Sequence, residues 1–352
     1  MEPDAKKVFQ TLNLNKIWLP LLLGLAVPLY LFMNDKDVTW SSLQLIAEAD
    51  WRHLFLVLLA TALRDIGYII RIRVLTHADL SWLSCFYVVV LWEFASAVTP
   101  SVAGGGIVAI FLFLREGVNL GKALAYVVVI TIFDNLFFLG ATSLGFFGVY
   151  DTIFAELATL ESKLGRSLQL LLWSSQAFVA TYTLVMSLAI FRWPKFFKWF
   201  LVKATSIRFL KRWQPAAGRY GDDLILASET LQGEKLLHWL KVGVATLLTW
   251  TSRYLVLNFI IAAYVSLDFV GHLVVLGKQF IIWTIMLVSP TPGSSGTAEF
   301  FYKQLYGNAL GDYTLITAVL WRVFTYYLYL ILGAIYLPRW IRRIFSLKKD
   351  NV

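Results

Sequence analysis

Apolar residues run along this chain in long blocks separated by short polar ones. The blocks cover residues 17–33, 54–72, 82–98, 123–147, 168–191, 239–265, 272–289 and 313–337. Most approach the ~20 residues a helix needs to cross a bilayer. Two shorter apolar pieces, 102–114 and 294–306, each follow a proline motif, "VTPSVAGGG" (98–106) and "VSPTPGSSG" (288–296). A helix of about 13 residues reaches only ~20 Å, short of the ~30 Å hydrocarbon core. The pattern therefore predicts an all-α polytopic membrane protein with about eight long apolar helices and two short ones.

Charge decides how the blocks are threaded. Segment 192–241 carries ten Lys and Arg against four acids, and 339–349 carries five Lys and Arg. With Lys6, Lys7 and Lys16 at the start, all three clusters belong on the cytoplasmic side. Eight simple spans cannot satisfy this. Starting inside leaves 192–241 outside, and starting outside leaves the basic tail outside. If the two short pieces turn back toward the side their preceding run came from, every basic cluster falls inside. The acidic loop around Asp151, Glu156 and Glu161 then falls outside. The expected architecture is six full spans plus two broken re-entrant hairpins, the first entering from the cytoplasm and the second from outside. The halves, about 17–147 and 168–337, form an inverted repeat, echoed in "ATALRDIGY" (60–68) and "ATLLTWTSRY" (245–254).

Composition fits: 59% of residues are hydrophobic, 15% are charged, and the mean hydropathy is +0.68. The net charge of +9 sits beside apolar runs, which points to an anionic membrane surface rather than nucleic acid. Residues 192–213 alternate basic and aromatic side chains and read as an interfacial helix, within a basic cytoplasmic segment spanning 192–238. Arg71 and Arg73 close their run and read as snorkelling to the interface. The single cysteine, Cys85, leaves no internal disulfide. The four histidines, His53, His77, His238 and His272, are scattered in sequence, so no metal site and no cofactor is expected. Run 17–33 lacks a cleavage-site pattern and reads as a retained span. Self-association is left open.

The two proline motifs are the candidate site. Pro100 stops the first hairpin arm, Gly104, Gly105 and Gly106 let the chain turn, and a helix resumes near Ile107. In the second hairpin Pro290 and Pro292 stop the arm, and Gly293 and Gly296 turn it beside Thr291. Ser294, Ser295 or Thr297 can then cap the next helix. Backbone freed at such breaks must be buried in protein or line a wet cavity. Each motif aims a helix N-terminus inward, where exposed amides favour an anion such as a phosphate. The plainer alternative is two kinks closing a tight bundle.

Charged residues within the runs sharpen the choice, because they are costly in lipid. Arg64, Arg253 and Arg322 are candidate phosphate-binding cations, and Glu93, Asp134 and Glu299 are candidate proton carriers. With Asp65 and Lys278 they could equally be paired structural bridges, Asp65 simply neutralising Arg64. Glu299 also suits a first helical turn.

Several of these stretches, "RIRVL" (71–75), "TPSVAGGG" (99–106), "REGV" (115–118) and "SPTPGSSGTAEF" (289–300), resemble the lysylphosphatidylglycerol synthase transmembrane family, also called UPF0104. Its best-known member domain is the flippase half of MprF-type proteins. The resemblance implies a multi-pass translocator in a bacterial inner membrane with both termini cytoplasmic. Its substrate would be a phospholipid or a polyprenyl-phosphate lipid. Only a short tail follows the last predicted span, so aminoacyl-lipid synthesis is not expected. No nucleotide-binding loop occurs, so transport would be downhill or ion-coupled. The rival expectation is an intramembrane enzyme or accessory protein acting on lipid-linked sugars or phospholipid headgroups.

Overall fold

The computed structural model describes residues 40–99, 102–146, 148–160, 162–207, 209–289 and 291–349. The predicted first span, Pro100 and Pro290 lie outside these residues. Among the described residues there is no β-strand. Among these same described residues, six helical stretches are long and apolar enough to cross a membrane: Trp51–Leu75, Leu120–Gly145, Arg166–Arg192, Leu236–Ala262, Phe269–Leu287 and the kinked run Pro292–Ile344. Trp82–Val98 and Gly105–Arg115 are shorter apolar helices. The protein is an all-α polytopic membrane protein.

In chain order the helices are α1 (Trp51–Leu75), α2 (Trp82–Val98), α3 (Val102–Arg115), α4 (Leu120–Gly145), α5 (Tyr150–Leu160), α6 (Ser162–Ser187) and α7 (Pro194–Ala204), followed by α8 (Gln214–Leu231), α9 (Leu236–Ala262), α10 (Phe269–Val288), α11 (Thr297–Leu310), α12 (Thr314–Arg322) and α13 (Leu328–Lys349). Several begin where a polar side chain can satisfy a free backbone donor. Asp50 accepts from Arg52 N, Ser81 from Ser84 N, Asn119 from Lys122 N and Asp268 from Gly271 N. The basic-aromatic stretch 192–213 is not one helix. It is α7, then a break at Thr205, then a single turn at Lys211–Trp213. Phe196, Trp199 and Phe200 are exposed along α7.

The antiparallel pair α1 and α9 forms the spine. Asp50 N donates to Ala263 O at 2.9 Å at one end, and His77 meets Glu234 at 2.7 Å at the other. Between them the backbones close in at Gly67, where a Cβ would fall 2.4 Å from Thr249 Oγ1. Small residues permit such approach where lipid supplies no hydrophobic drive between helices.

Around this spine, two helix pairs open toward opposite ends. Ser84 at the start of α2 and Glu116 just after α3 are both held by Arg343 of α13, at 2.7 and 2.9 Å. This is the His77 end, since Arg73 of α1 donates to Leu80 O just before α2. At the Ala263 end, Tyr306 near the close of α11 donates to Val275 O near the start of α10 at 2.8 Å. There the rings of Tyr264 and Tyr313 also meet at a tilt, centroids 5.1 Å apart. Each pair nucleates its own apolar cluster. One contains Phe94, Phe111, Phe113 and Trp340, and the other Phe280, Ile281, Tyr302 and Tyr306.

The two turns differ from expectation in detail. α3 begins at Val102, so Gly104, Gly105 and Gly106 are helical and do not make the turn. Gly105 instead admits α2: a Cβ there would lie 2.4 Å from Ser96 Oγ. In the second turn Gly293 and Gly296 do take positive φ, 55° and 86°, which glycine tolerates without a Cβ clash. Ser294 shares a positive φ of 55°.

Candidate functional site

The turn between α10 and α11 is a knot of internal hydrogen bonds. Thr291 Oγ1 donates to Ser295 O at 3.0 Å, Ser294 Oγ to Met286 O at 3.1 Å, and Ser289 Oγ to Thr297 Oγ1 at 3.1 Å. Ser294, Ser295 and Thr297 are therefore occupied elsewhere and do not cap α11. The cap is Glu299, whose Oε2 accepts from Gly296 N at 2.7 Å. The anion at this helix N-terminus is thus the protein's own carboxylate.

Arg322, 3% exposed, locks that arrangement. Its Nε lies 2.8 Å from Glu299 Oε1, and its Nη2 donates to Gly293 O at 2.9 Å and to Ser295 Oγ at 3.3 Å. The carbonyl freed by the break is satisfied by a guanidinium, Arg322 Nη2 donating to Gly293 O. A π-helical turn at Val323–Tyr327 follows directly and brings Tyr326 under the same guanidinium, 4.2 Å from ring centre to Cζ. Such turns recur at functional positions in helices.

On the other side, Glu93 of α2 sits between two arginines. Arg64 of α1, 1% exposed, pairs with Glu93 Oε2 and stacks 4.2 Å over the Tyr329 ring. Arg253 of α9 reaches Glu93 Oε1 only at 3.5 Å, with 29% of its side chain exposed. Asp65 accepts from Tyr329 OH at 2.7 Å, while Arg64 pairs with Glu93 of another helix rather than with Asp65 beside it.

A third cluster corrects the snorkelling reading of Arg71. This residue is 1% exposed and ion-paired to Asp134 of α4, and it also donates to Thr246 Oγ1 at 3.3 Å. Trp250 Nε1 donates to the same Asp134 oxygen at 2.6 Å. Arg71 lies two helical turns from Arg64, on the α1 face that also carries Tyr68 and Gly67. That spacing was the available signal; proximity to the end of the apolar run concealed it.

These clusters surround a cavity of about 410 Å³. Arg71, Arg253 and Arg322 line it, as do Glu93 and Asp134. Both turns reach it, the first through Ser96, Thr99 and Gly106, the second through Ser289, Thr291, Gly293 and Ser294. Its apolar wall draws on both clusters, with Val89, Ile130 and Tyr326 from one and Tyr254, Ile282 and Trp321 from the other. Arg64 and Glu299 stand behind the lining, each holding a residue that faces the cavity. Gly105, Pro292 and Gly296 are not part of the wall. Residues the sequence did not single out also contribute: Trp92, Trp250, Asn135, Tyr254 and Gln279. The hydroxyl of Tyr254 and the amide nitrogen of Asn135 are buried without a hydrogen-bond partner among the described residues.

Electrostatically the wall carries three guanidinium groups against two carboxylates. Glu93 is shared with Arg64 from behind, so the most loosely held charge facing the cavity is Arg253. The proton-carrier candidates Glu93, Asp134 and Glu299 each contact an arginine.

Comparison with known proteins accords with this architecture. A family model described as the lysylphosphatidylglycerol synthase TM region matches residues 17–333. A "UPF0104 membrane protein" of Archaeoglobus fulgidus is 26% identical over 341 residues, covering 90% of this chain and 94% of that relative. No solved structure matches the chain.

Proposed function

The chain belongs to the lysylphosphatidylglycerol synthase transmembrane-region family, and from that premise we propose that it moves a phosphate-bearing lipid between the leaflets of the cell's inner membrane. In this reading α2–α3 and α10–α11 are re-entrant hairpins of an inverted repeat, dipping in from opposite faces with both termini cytoplasmic. Their opening toward opposite ends of the α1–α9 spine supports it.

One observation carries the proposal: a single cavity joins both turns and presents Arg253, the least committed of the lining cations. About 410 Å³ lies within the ~300–1,000 Å³ common for small-molecule sites. That holds a phosphate headgroup while the hydrocarbon tails stay in lipid. The phosphate takes Arg253 from Glu93, and the carboxylate falls back on Arg64. Arg322 and Arg71 keep their partners and fix the walls. A polar cavity of this kind lowers the cost of carrying a charge through the apolar core.

The test is a translocation assay in proteoliposomes. Fluorescent phosphatidylglycerol and a fluorescent polyprenyl phosphate serve as probes, with dithionite quenching the outer leaflet. The purified protein is expected to speed movement of at least one probe over protein-free vesicles, with no new lipid species by mass spectrometry. Arg253→Ala should remove most of that gain. Wild-type rates equal to empty vesicles for both probes would overturn the reading. New lipid masses would favour an intramembrane enzyme.

A further inference from the structure

His77 lies far in sequence from Glu234 and His238, yet the three converge at one end of the α1–α9 spine, outside the residues that line the cavity. His77 Nε2 lies 2.7 Å from Glu234 Oε1, and His238 Nδ1 lies 3.7 Å from Glu234 Oε2. The two imidazole rings stack with centroids 4.7 Å apart. One donor atom from each residue falls within 4.8 Å of the other two. The four histidines are scattered in sequence, yet two of them meet around one carboxylate.

The local fold builds this meeting. Glu234 precedes the extended N-cap Lys235 of α9 and His238 lies in the first turn of that helix, where the two side chains come within 3.7 Å. His77 follows the end of α1 in a left-handed conformation, φ 49°, and Ala78 repeats it at 63°. Two consecutive non-glycine residues in that region are uncommon and mark a loop held by its surroundings. The loop swings the His77 ring off α1 and onto α9.

We propose that these three residues form a divalent transition-metal site of the zinc class. Two imidazoles and one carboxylate suit zinc, which three protein ligands commonly hold with a fourth position open. Zinc with ligands at ~2.0–2.1 Å sets tetrahedral donors about 3.3 Å apart. The two imidazoles stand 2.7 and 3.7 Å from the two different oxygens of Glu234, and one ligand atom from each residue lies within 4.8 Å of the others. The His77 side chain is 54% exposed, and turning it out of its stack on His238 would draw the donors together around an ion. Asp79 nearby is engaged by Lys122 at 3.5 Å, so the ligand set is the triad. A bound ion clamps the loop after α1 to the start of α9, tying one end of the helix pair that carries Arg64, Arg71 and Arg253. The site stands independently of any lipid activity.

The test uses the full chain with a non-histidine affinity tag, in detergent, stripped with EDTA and titrated with Zn²⁺ against a colorimetric zinc indicator. One zinc per chain is expected. His77→Asn, Glu234→Gln and His238→Gln should each weaken binding by at least the about 10- to 100-fold that loss of even a supporting group costs. Asparagine is chosen at 77 because it tolerates the left-handed conformation. His272→Asn should bind as wild type, since His272 pairs with Asn258 at the opposite end of α9. In the wild-type chain, zinc should also slow hydrogen exchange across 73–80 and 232–240, a readout that needs no variant. Absence of zinc uptake, equal uptake by all three ligand variants, or no change in exchange at those segments would overturn the site.

Discussion

Arg253 Nη1 stands 3.5 Å from Glu93 Oε1, while the other oxygen of the same carboxylate is paired to Arg64. One acid thus faces two bases, one buried and one facing the cavity. The two arginines should therefore respond differently to removal. Arg253→Ala is expected to leave the thermal unfolding midpoint nearly unchanged, because Glu93 keeps Arg64. It should slow lipid translocation by about 10- to 100-fold, the equivalent of one charge-assisted hydrogen bond to phosphate. Arg64→Ala should destabilise the fold, toward the lower end of the about 3–5 kcal/mol seen when a buried pair is broken, since Arg253 can move in. Thermal unfolding in detergent alongside the vesicle assay separates the two effects. Equal behaviour of the two variants in both assays would contradict this assignment.

Arg71 and Asp134 make the complementary case. Arg71 is 1% exposed and Asp134 22%, so the pair is buried on the arginine side. Asp134→Leu alone should cost about 3 kcal/mol, because it strands a buried guanidinium. Adding Arg71→Met should recover much of that loss, as apolar replacement of a whole buried pair often does. Chemical denaturation of the single and double variants gives the coupling. If the double variant is no more stable than Asp134→Leu, Arg71 is not stabilised by that pair.

Much of this was legible in the sequence, because the bilayer imposes length and charge rules that a soluble core does not. The ranges of α2, α9 and α10 follow from apolar run length. The placement of 76–81 and 232–238 at a common end follows from charge parity. The side-chain partners were not legible. Whether Arg64 meets Asp65 beside it or Glu93 on another helix depends on the packing angle, which periodicity does not encode. The same holds for the glycines at 104–106. Their composition suggests a turn, but they lie within α3, and Gly105 packs closely against Ser96. Arg71 was misread because one residue's distance from the end of an apolar run says nothing about which neighbour crosses there. His77 and His238 converge only once α1 and α9 are known to be antiparallel.

The second turn rests on geometry that only a guanidinium provides. Arg322 uses Nε toward Glu299 and Nη2 toward Gly293 O and Ser295 Oγ. A lysine carries the same charge without the fork. Arg322→Lys is expected to lose about 1–3 kcal/mol of stability through the unsatisfied turn carbonyl. The loss should be local and visible as faster hydrogen exchange over 289–297. Glu299→Gln should disturb those amides less, because its side-chain oxygen can still accept from Gly296 N. Equal exchange in Arg322→Lys and wild type would show that the turn holds itself.

Gly293 and Gly117 separate backbone strain from crowding. Both have positive φ, 55° and 93°, so alanine at either pays a conformational penalty of roughly 1–2 kcal/mol. Their surroundings differ. At Gly117 a Cβ meets nothing within 4 Å, whereas at Gly293 it would lie 2.0 Å from Tyr326 Cε2. Tyr326 cannot easily retreat, because it is 4% exposed and lies beneath Arg322. Gly117→Ala should therefore show only the conformational penalty and retain full transport. Gly293→Ala should add a further loss of about 1–3 kcal/mol from overpacking and displace the Tyr326 wall of the cavity. Pairing Gly293→Ala with Tyr326→Ala should restore part of the thermal midpoint but not transport, because the wall is then missing. Equal destabilisation by the two alanine substitutions would mean that the turn is not packed against Tyr326, and the second hairpin would lose its place at the cavity.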